Sequence, residues 1–223
     1  MLRVLQHIYI LPLLISALLS LKSFRLRWSI QYRIFSILLI LILFVETTAI
    51  LWKYVFYNIG QSNFSKSNIW LYNCFLIPQY FLYILTYYLS IKSPLVKKII
   101  IILFILFPLF AIANNIFFES IYVVNSFTLI MASSVVIFLT VSYFEELRKE
   151  EQVIHLSSQP LVWISLGAFI FHTANLPFMV VLNYLIRNNV SLALTLFYIF
   201  LGLNCIMYSL YSIAFLCPHP SRK

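Results

Sequence analysis

Seven stretches of the chain are apolar almost without interruption, at residues 4–21, 34–55, 69–91, 99–118, 121–144, 161–185 and 191–215. A helix rises about 1.5 Å per residue, so roughly 20 residues cross a hydrocarbon core about 30 Å thick. Strands of a membrane barrel would alternate polar and apolar positions over about ten residues. The run Ile99 to Phe110 shows no such alternation. The pattern predicts an all-α polytopic membrane protein, a single seven-helix transmembrane domain over residues 1–223. The segments between the runs are short and leave no room for a separate soluble domain.

Composition agrees with the pattern. The 223 residues are 63% hydrophobic and 9% charged, and mean hydropathy is +0.98. A water-soluble core cannot absorb that much apolar surface, so the bilayer is the solvent. Only Gly60, Gly167 and Gly202 are glycines, which argues against helix association through Gly-xxx-Gly faces. Two of the three cysteines, Cys74 and Cys205, fall inside apolar runs, so no secreted disulfide framework is read. Cys217 sits at the membrane edge, where acylation is chemically open; a buried small hydrophobe is the commoner role.

Basic residues give the bundle a direction, because lysine and arginine are retained on the cytoplasmic side. With the N-terminus outside and the C-terminus cytoplasmic, eleven of the fifteen fall inside: Lys22, Arg25, Arg27, Arg33, Lys92, Lys97, Lys98, Arg148, Lys149, Arg222 and Lys223. Arg3, Lys53, Lys66 and Arg187 fall outside. Reading the first run as a cleaved signal peptide, in view of Arg3 and the interruptions at Gln6, His7 and Pro12, would invert this count. The expected location is the inner plasma membrane, multi-pass. The net charge of +9 reflects this bias and attraction to anionic lipid, with no need for a nucleic-acid partner.

Ionisable groups in hydrocarbon are costly and usually face the bundle interior. Glu46 is the only acidic residue within the seven runs, and His172 lies near the middle of the sixth. Their matching depths make a hydrogen bond or ion pair between them feasible. Asn73, Gln79, Asn114, Asn115, Asn125, Asn175, Asn183 and Asn204 are nearly all at mid-depth or in the outer half, whereas the inner halves are mainly aliphatic and aromatic. An outward-opening polar pocket above an apolar plug would produce this asymmetry. Glu46, Gln79, Asn114, Asn115, Asn125, His172, Asn175 and Asn204 are taken as its ligand-binding residues; the alternative is that the amides only bridge helices. Pro78 and Pro177 are placed to shape a cavity wall or simply to kink their helices.

The long inner connection holds four of the six acidic residues. Glu145 and Lys149 form a favourable i,i+4 pair, so the fifth helix is expected to extend past the membrane. Ser157 or Ser158 is suited to cap the sixth helix and Pro160 to occupy its first turn. Glu145, Glu146, Arg148, Lys149, Glu150 and Glu151 make either a solvated helix end or a docking handle for a partner.

Several chemistries lack their residues. The chain has no aspartate, no GxGxxG, Walker A, HExxH or GxSxG pattern, and its histidines are scattered, so neither metal nor cofactor is expected. No lysine in the last run could carry a retinal Schiff base. Two sequons, at Asn63 and Asn189, fall in outer loops.

Asn125, then Tyr143-Phe144-Glu145-Glu146-Leu147, then Pro160-Leu161-Val162-Trp163-Ile164 with Gly167 following, resemble small orphan seven-helix membrane proteins of the Bacteroidota. The resemblance covers about a third of the chain. Similar seven-helix units form the sensory input regions of some bacterial histidine kinases. The resemblance implies signal reception, with output through a separate partner such as a histidine kinase, since the sequence stops after the seventh run. The leading expectation is a receptor-like sensor for a small ligand. A small-solute or proton-coupled transporter using Glu46 and His172 is the first alternative, although no internal repeat is visible. A membrane-embedded lipid enzyme comes last, because no nucleophile accompanies the two groups.

Overall fold

The computed structural model describes residues 7–55, 67–149 and 156–218. Its helices are α1 (Ile10–Ser20), α2 (Lys22–Arg25), α3 (Ile30–Val55), α4 (Ile69–Ser90), α5 (Pro94–Phe117), α6 (Ser126–Arg148), α7 (Pro160–Asn188) and α8 (Val190–Leu216). A single 3-10 turn, Leu156–Ser158, precedes α7. Six of these helices, α3 to α8, are long and apolar enough to cross a membrane, and the chain is an all-helical membrane-spanning bundle.

The first apolar run behaves differently from the other six. Among the described residues α1 has 11 residues, about 16 Å of rise against about 30 Å of hydrocarbon. Leu21 keeps helical dihedrals and α2 follows directly, so the element is longer than α1 alone. It ends where Arg27 adopts a left-handed φ of 52°, a conformation uncommon for a residue with a Cβ.

Helix packing describes a ring. α1 lies against α3 and α8, α3 against α4, α4 against α6, α6 against α7, and α7 against α8. α5 is outside the ring, touching α4 and α6. Only 17% of its apolar window is buried, the smallest share of the six spans, which leaves Ile101, Ile105, Leu109 and Phe117 for lipid.

Large side chains fill the ring, as the scarcity of glycine requires. Trp28, Phe35, Tyr83, Tyr87, Phe107, Tyr211 and Phe215 are wholly or almost wholly buried. Phe35 meets Tyr211 edge-on at 5.0 Å and Tyr83 at 5.8 Å between ring centroids. Such contacts add about 0.5–1.5 kcal/mol each beyond their buried area. Two pairs of buried hydroxyls meet across helices: Tyr83 with Tyr211 at 2.7 Å, joining α4 to α8, and Tyr87 with Ser165 at 2.9 Å, joining α4 to α7.

One glycine does control an approach. A Cβ on Gly167 of α7 would stand 3.1 Å from Tyr211 Cε1, 3.2 Å from Leu210 Cβ and 3.2 Å from the Met207 carbonyl oxygen. Two of those neighbours are α8 backbone or the first carbon off it, so they yield little. Gly167→Val should therefore overpack the α7–α8 seam and lower stability by about 1–3 kcal/mol. Unfolding by SDS titration checks this; a change within 0.5 kcal/mol would show that the seam is looser than these distances imply.

Several helix ends depart from the sequence expectation. α3 and α5 begin four or five residues earlier than the apolar runs, and α7 begins at Pro160 with Gln159 before it. Neither Ser157 nor Ser158 caps α7, because both are in the preceding 3-10 turn, where the Ser157 carbonyl instead accepts from Trp163 Nε1 at 2.9 Å. α6 starts at Ser126 rather than 121. Residues 121–124 are held out of helix by Asn73, whose Nδ2 donates to the Ile121 and Val123 carbonyls at 2.7 Å each. Pro78 and Pro177 are exposed on the outside of their helices and are not part of the wall of the cavity inside the ring.

Candidate functional site

Inside the ring, bordered by the residues just before α1 and by α3, α4, α6, α7 and α8, is a cavity of about 460 Å³. Small-molecule sites span roughly 300–1,000 Å³ and are mostly apolar with a few placed polar groups. The floor here is aromatic: Tyr80 and Tyr83 from α4, Phe171 from α7 and Tyr208 from α8. The rim carries His7, Lys53 and Asn68. That rim is the end where α3 finishes and α4 begins, opposite the end that holds Lys22, Arg25 and Arg27.

Glu46 stands on the α3 side. Tyr9 at the start of α1 and Tyr72 in the second turn of α4 both donate to its Oε2, at 2.7 and 2.8 Å. One carboxylate oxygen thus ties three elements together. Thr47 and Thr48, which follow it, return their hydroxyls to the Leu43 and Phe44 carbonyls of their own helix and take no part.

His172 is 2% exposed, with its ring set edge-on to Phe171, Tyr80 and Tyr83. Its Nδ1 lies 3.2 Å from Ser133 Oγ of α6. Asn175, on the same side of α7, places Nδ2 3.4 Å from that hydroxyl. Glu46 and His172 border one cavity but make no hydrogen bond or ion pair with each other; tyrosines occupy the carboxylate and a serine the imidazole.

Of the eight residues assigned to the pocket from sequence, Glu46, Gln79, His172, Asn175 and Asn204 line the cavity. Asn114, Asn115 and Asn125 do not. They knot the α5–α6 corner instead. Asn114 Nδ2 donates to Glu119 Oε2 at 2.7 Å and to Thr128 Oγ1 at 3.0 Å, while Asn125 donates to Asn115 Oδ1. The reason is positional: α5 stands outside the ring, so its polar residues face α6 and the corner rather than the ring interior. Asn183 lies in α7, and its side chain is outside the described residues.

Three contributors escaped the sequence assignment. Tyr9 and Tyr72 carry no polar-in-membrane signal, since tyrosine is at home at interfaces, and a phenol's partner cannot be read from spacing. Asn73 was visible as a polar position but has no feature separating it from a simple helix bridge. Its double hold on the 121–124 carbonyls shows it to be both bridge and cavity lining.

At the opposite end, Glu145 forms ion pairs with Arg148 at 2.7 Å and Lys149 at 3.4 Å, as its spacing suggests. Glu146 is engaged differently. Its carboxylate accepts from the Lys92 backbone N–H at 2.7 and 3.0 Å, bracing the turn between α4 and α5. Glu150 and Glu151 lie outside the described residues, as does the sequon at Asn63. Asn189, of the second sequon, caps α8 by accepting from the Leu192 N–H at 3.0 Å. Cys217 is buried, with Sγ 3.5 Å from the Ser157 carbonyl.

Comparison with protein-family models, with curated proteins and with solved structures gives no match to this chain.

Proposed function

We propose that the chain is a receptor-like sensor of the inner plasma membrane, with seven spans, its N-terminus outside and its C-terminus cytoplasmic. A small ligand enters the cavity from outside and biases helix packing, and the 145–160 connection passes the change to a separate partner, such as a histidine kinase. The observation that carries this reading is the cavity itself: polar groups gather toward one end of the ring, and a sealed aromatic layer lies beyond them. The Tyr83–Tyr211 and Tyr87–Ser165 hydroxyl pairs belong to that layer. A carrier would need a second arrangement opening this layer to the other side, which is why the transporter reading ranks second.

The ring also supplies a route. α6 contributes Ser133 behind His172 and Asn175, and the same helix ends in Glu145, Glu146 and Arg148. A ligand that displaces His172 or Asn175 acts on α6 directly.

The test begins with a screen of amines, acids, sugars and neutral fragments for thermal stabilisation of the purified protein. Stabilising fragments should lose their effect in Gln79→Trp, which fills the cavity. Each should also change backbone hydrogen exchange within residues 145–160. Exchange there that is unaltered at saturation defeats the sensor reading. Accumulation of a fragment inside proteoliposomes would establish the carrier instead.

A further inference from the structure

The hydrogen bonds around the cavity are spent unevenly. An asparagine offers two donors and one acceptor oxygen, and backbone carbonyls can only accept. Asn73 gives its amide nitrogen to the Ile121 and Val123 carbonyls, Asn68 to the Ala49 carbonyl at 3.1 Å, and Asn204 to the Phe200 carbonyl at 2.9 Å. Because the partners are carbonyls, the orientation of each amide is forced. Asn73 uses both of its N–H groups, Asn68 and Asn204 use one each, and among the described residues the three side-chain oxygens accept no hydrogen bond.

Glu46 shows the same economy. Both phenol donors converge on Oε2, and among the described residues Oε1 has no hydrogen-bond partner. Asn73 Oδ1 and Asn204 Oδ1, in residues that line the same cavity, likewise accept no hydrogen bond among the described residues. Asn175 adds a fourth oxygen, Oδ1, buried and unpartnered. These unpartnered oxygens fit a ligand that brings N–H donors to them.

Charge and shape narrow the class further. A carboxylate in an apolar bundle is costly unless it is paired, and Glu46 has two neutral phenols but no cationic partner among the described residues. Lys53 is seven residues further along α3, about 10 Å nearer the helix end, and is exposed at the rim. The surrounding aromatic faces favour a cation over an anion.

We infer that the cavity binds a small organic ammonium, whose N–H groups bond Glu46 Oε1 and the asparagine oxygens while its apolar part rests on the aromatic floor. This rests on the receptor reading and gives its ligand a chemical class.

Three probes of nearly one shape test it: phenethylamine, 2-phenylethanol and 3-phenylpropionate, titrated calorimetrically against the full chain in lipid nanodiscs. Phenethylamine should bind saturably and at least roughly tenfold more tightly than the other two, and Glu46→Gln should remove most of that preference. Should Glu46→Gln fold poorly, Asn204→Leu serves as the second variant. The Phe200 carbonyl it releases keeps its helical bond, so the fold is spared, and phenethylamine should weaken severalfold while 2-phenylethanol changes little. Equal or tighter binding of the alcohol or the acid overturns the ammonium assignment and leaves the receptor reading standing. If none of the three binds while other fragments stabilise the protein, the ammonium assignment again falls alone. If nothing binds in either experiment, both fall.

Discussion

Trp28→Ala should cost about 3–5 kcal/mol, the range for truncating a large buried aromatic. Trp28 is 0% exposed although it sits in the connection between α2 and α3. Its ring stacks on Phe215 at 5.9 Å with 23° between planes, and meets Tyr32 edge-on at 5.6 Å. The Lys22 ammonium lies 5.4 Å from the ring centroid. One side chain thus fills the space between the start of α3 and the end of α8. Its loss empties that space, and the neighbours are rings too stiff to collapse into it. Trp28→Phe keeps part of the stack and should lose about half as much. Both are measured by SDS titration in mixed micelles. A loss under about 1 kcal/mol for the alanine variant would mean that the ends of α3 and α8 do not depend on this wedge.

The second large effect belongs to Glu119. Its carboxylate accepts from Asn114 Nδ2 at 2.7 Å and from the Ser126 and Phe127 N–H groups at 3.1 and 3.2 Å. It is an N-terminal cap supplied from outside the helix it caps: Asn125, the residue preceding α6, makes no side-chain cap bond. Anionic acceptors suit a helix N-terminus because its free N–H groups carry partial positive charge. Glu119→Ala strands the Phe127 N–H and one Asn114 N–H, while the Ser126 N–H keeps its bond to the Val124 carbonyl at 2.9 Å, and should cost about 1–3 kcal/mol, the range for an unmade bond. Glu119→Gln keeps an acceptor and should lose about 1 kcal/mol. Because Asn73 holds the carbonyls of the same corner, the alanine variant should also speed hydrogen exchange at residues 120–125. Undisturbed exchange there would show that Asn73 alone fixes the corner.

Hydropathy located six long helices to within a few residues, because lipid demands uninterrupted apolar length and little else does. It placed the α6 start poorly for a physical reason. Residues 121–124 are as apolar as helix, and what holds them out is a pair of hydrogen bonds from Asn73, 48 and 50 residues away. Midplane polarity marked Glu46 and His172, which do border the cavity. It could not say that they avoid each other, since that depends on Tyr9, Tyr72 and Ser133 arriving from three other elements. The three asparagines at the α5–α6 corner looked like cavity residues because depth was the only coordinate available. Depth cannot distinguish a helix inside the ring from one outside it.

Lys22 donates from Nζ to the Phe215 and Cys217 carbonyls at 3.3 and 3.2 Å, at the end of α8. These groups are 193 and 195 residues apart in the chain. At about 5–20 residues per second of synthesis, the lysine emerges roughly 10–40 s before its acceptors exist. Until then α1 has α3 but no α8 to complete its packing, and the wall beside the cavity is missing. Ring closure consequently waits for α8, and a ribosome stalled within α8 should leave a bundle whose cavity lies open to lipid on its flank.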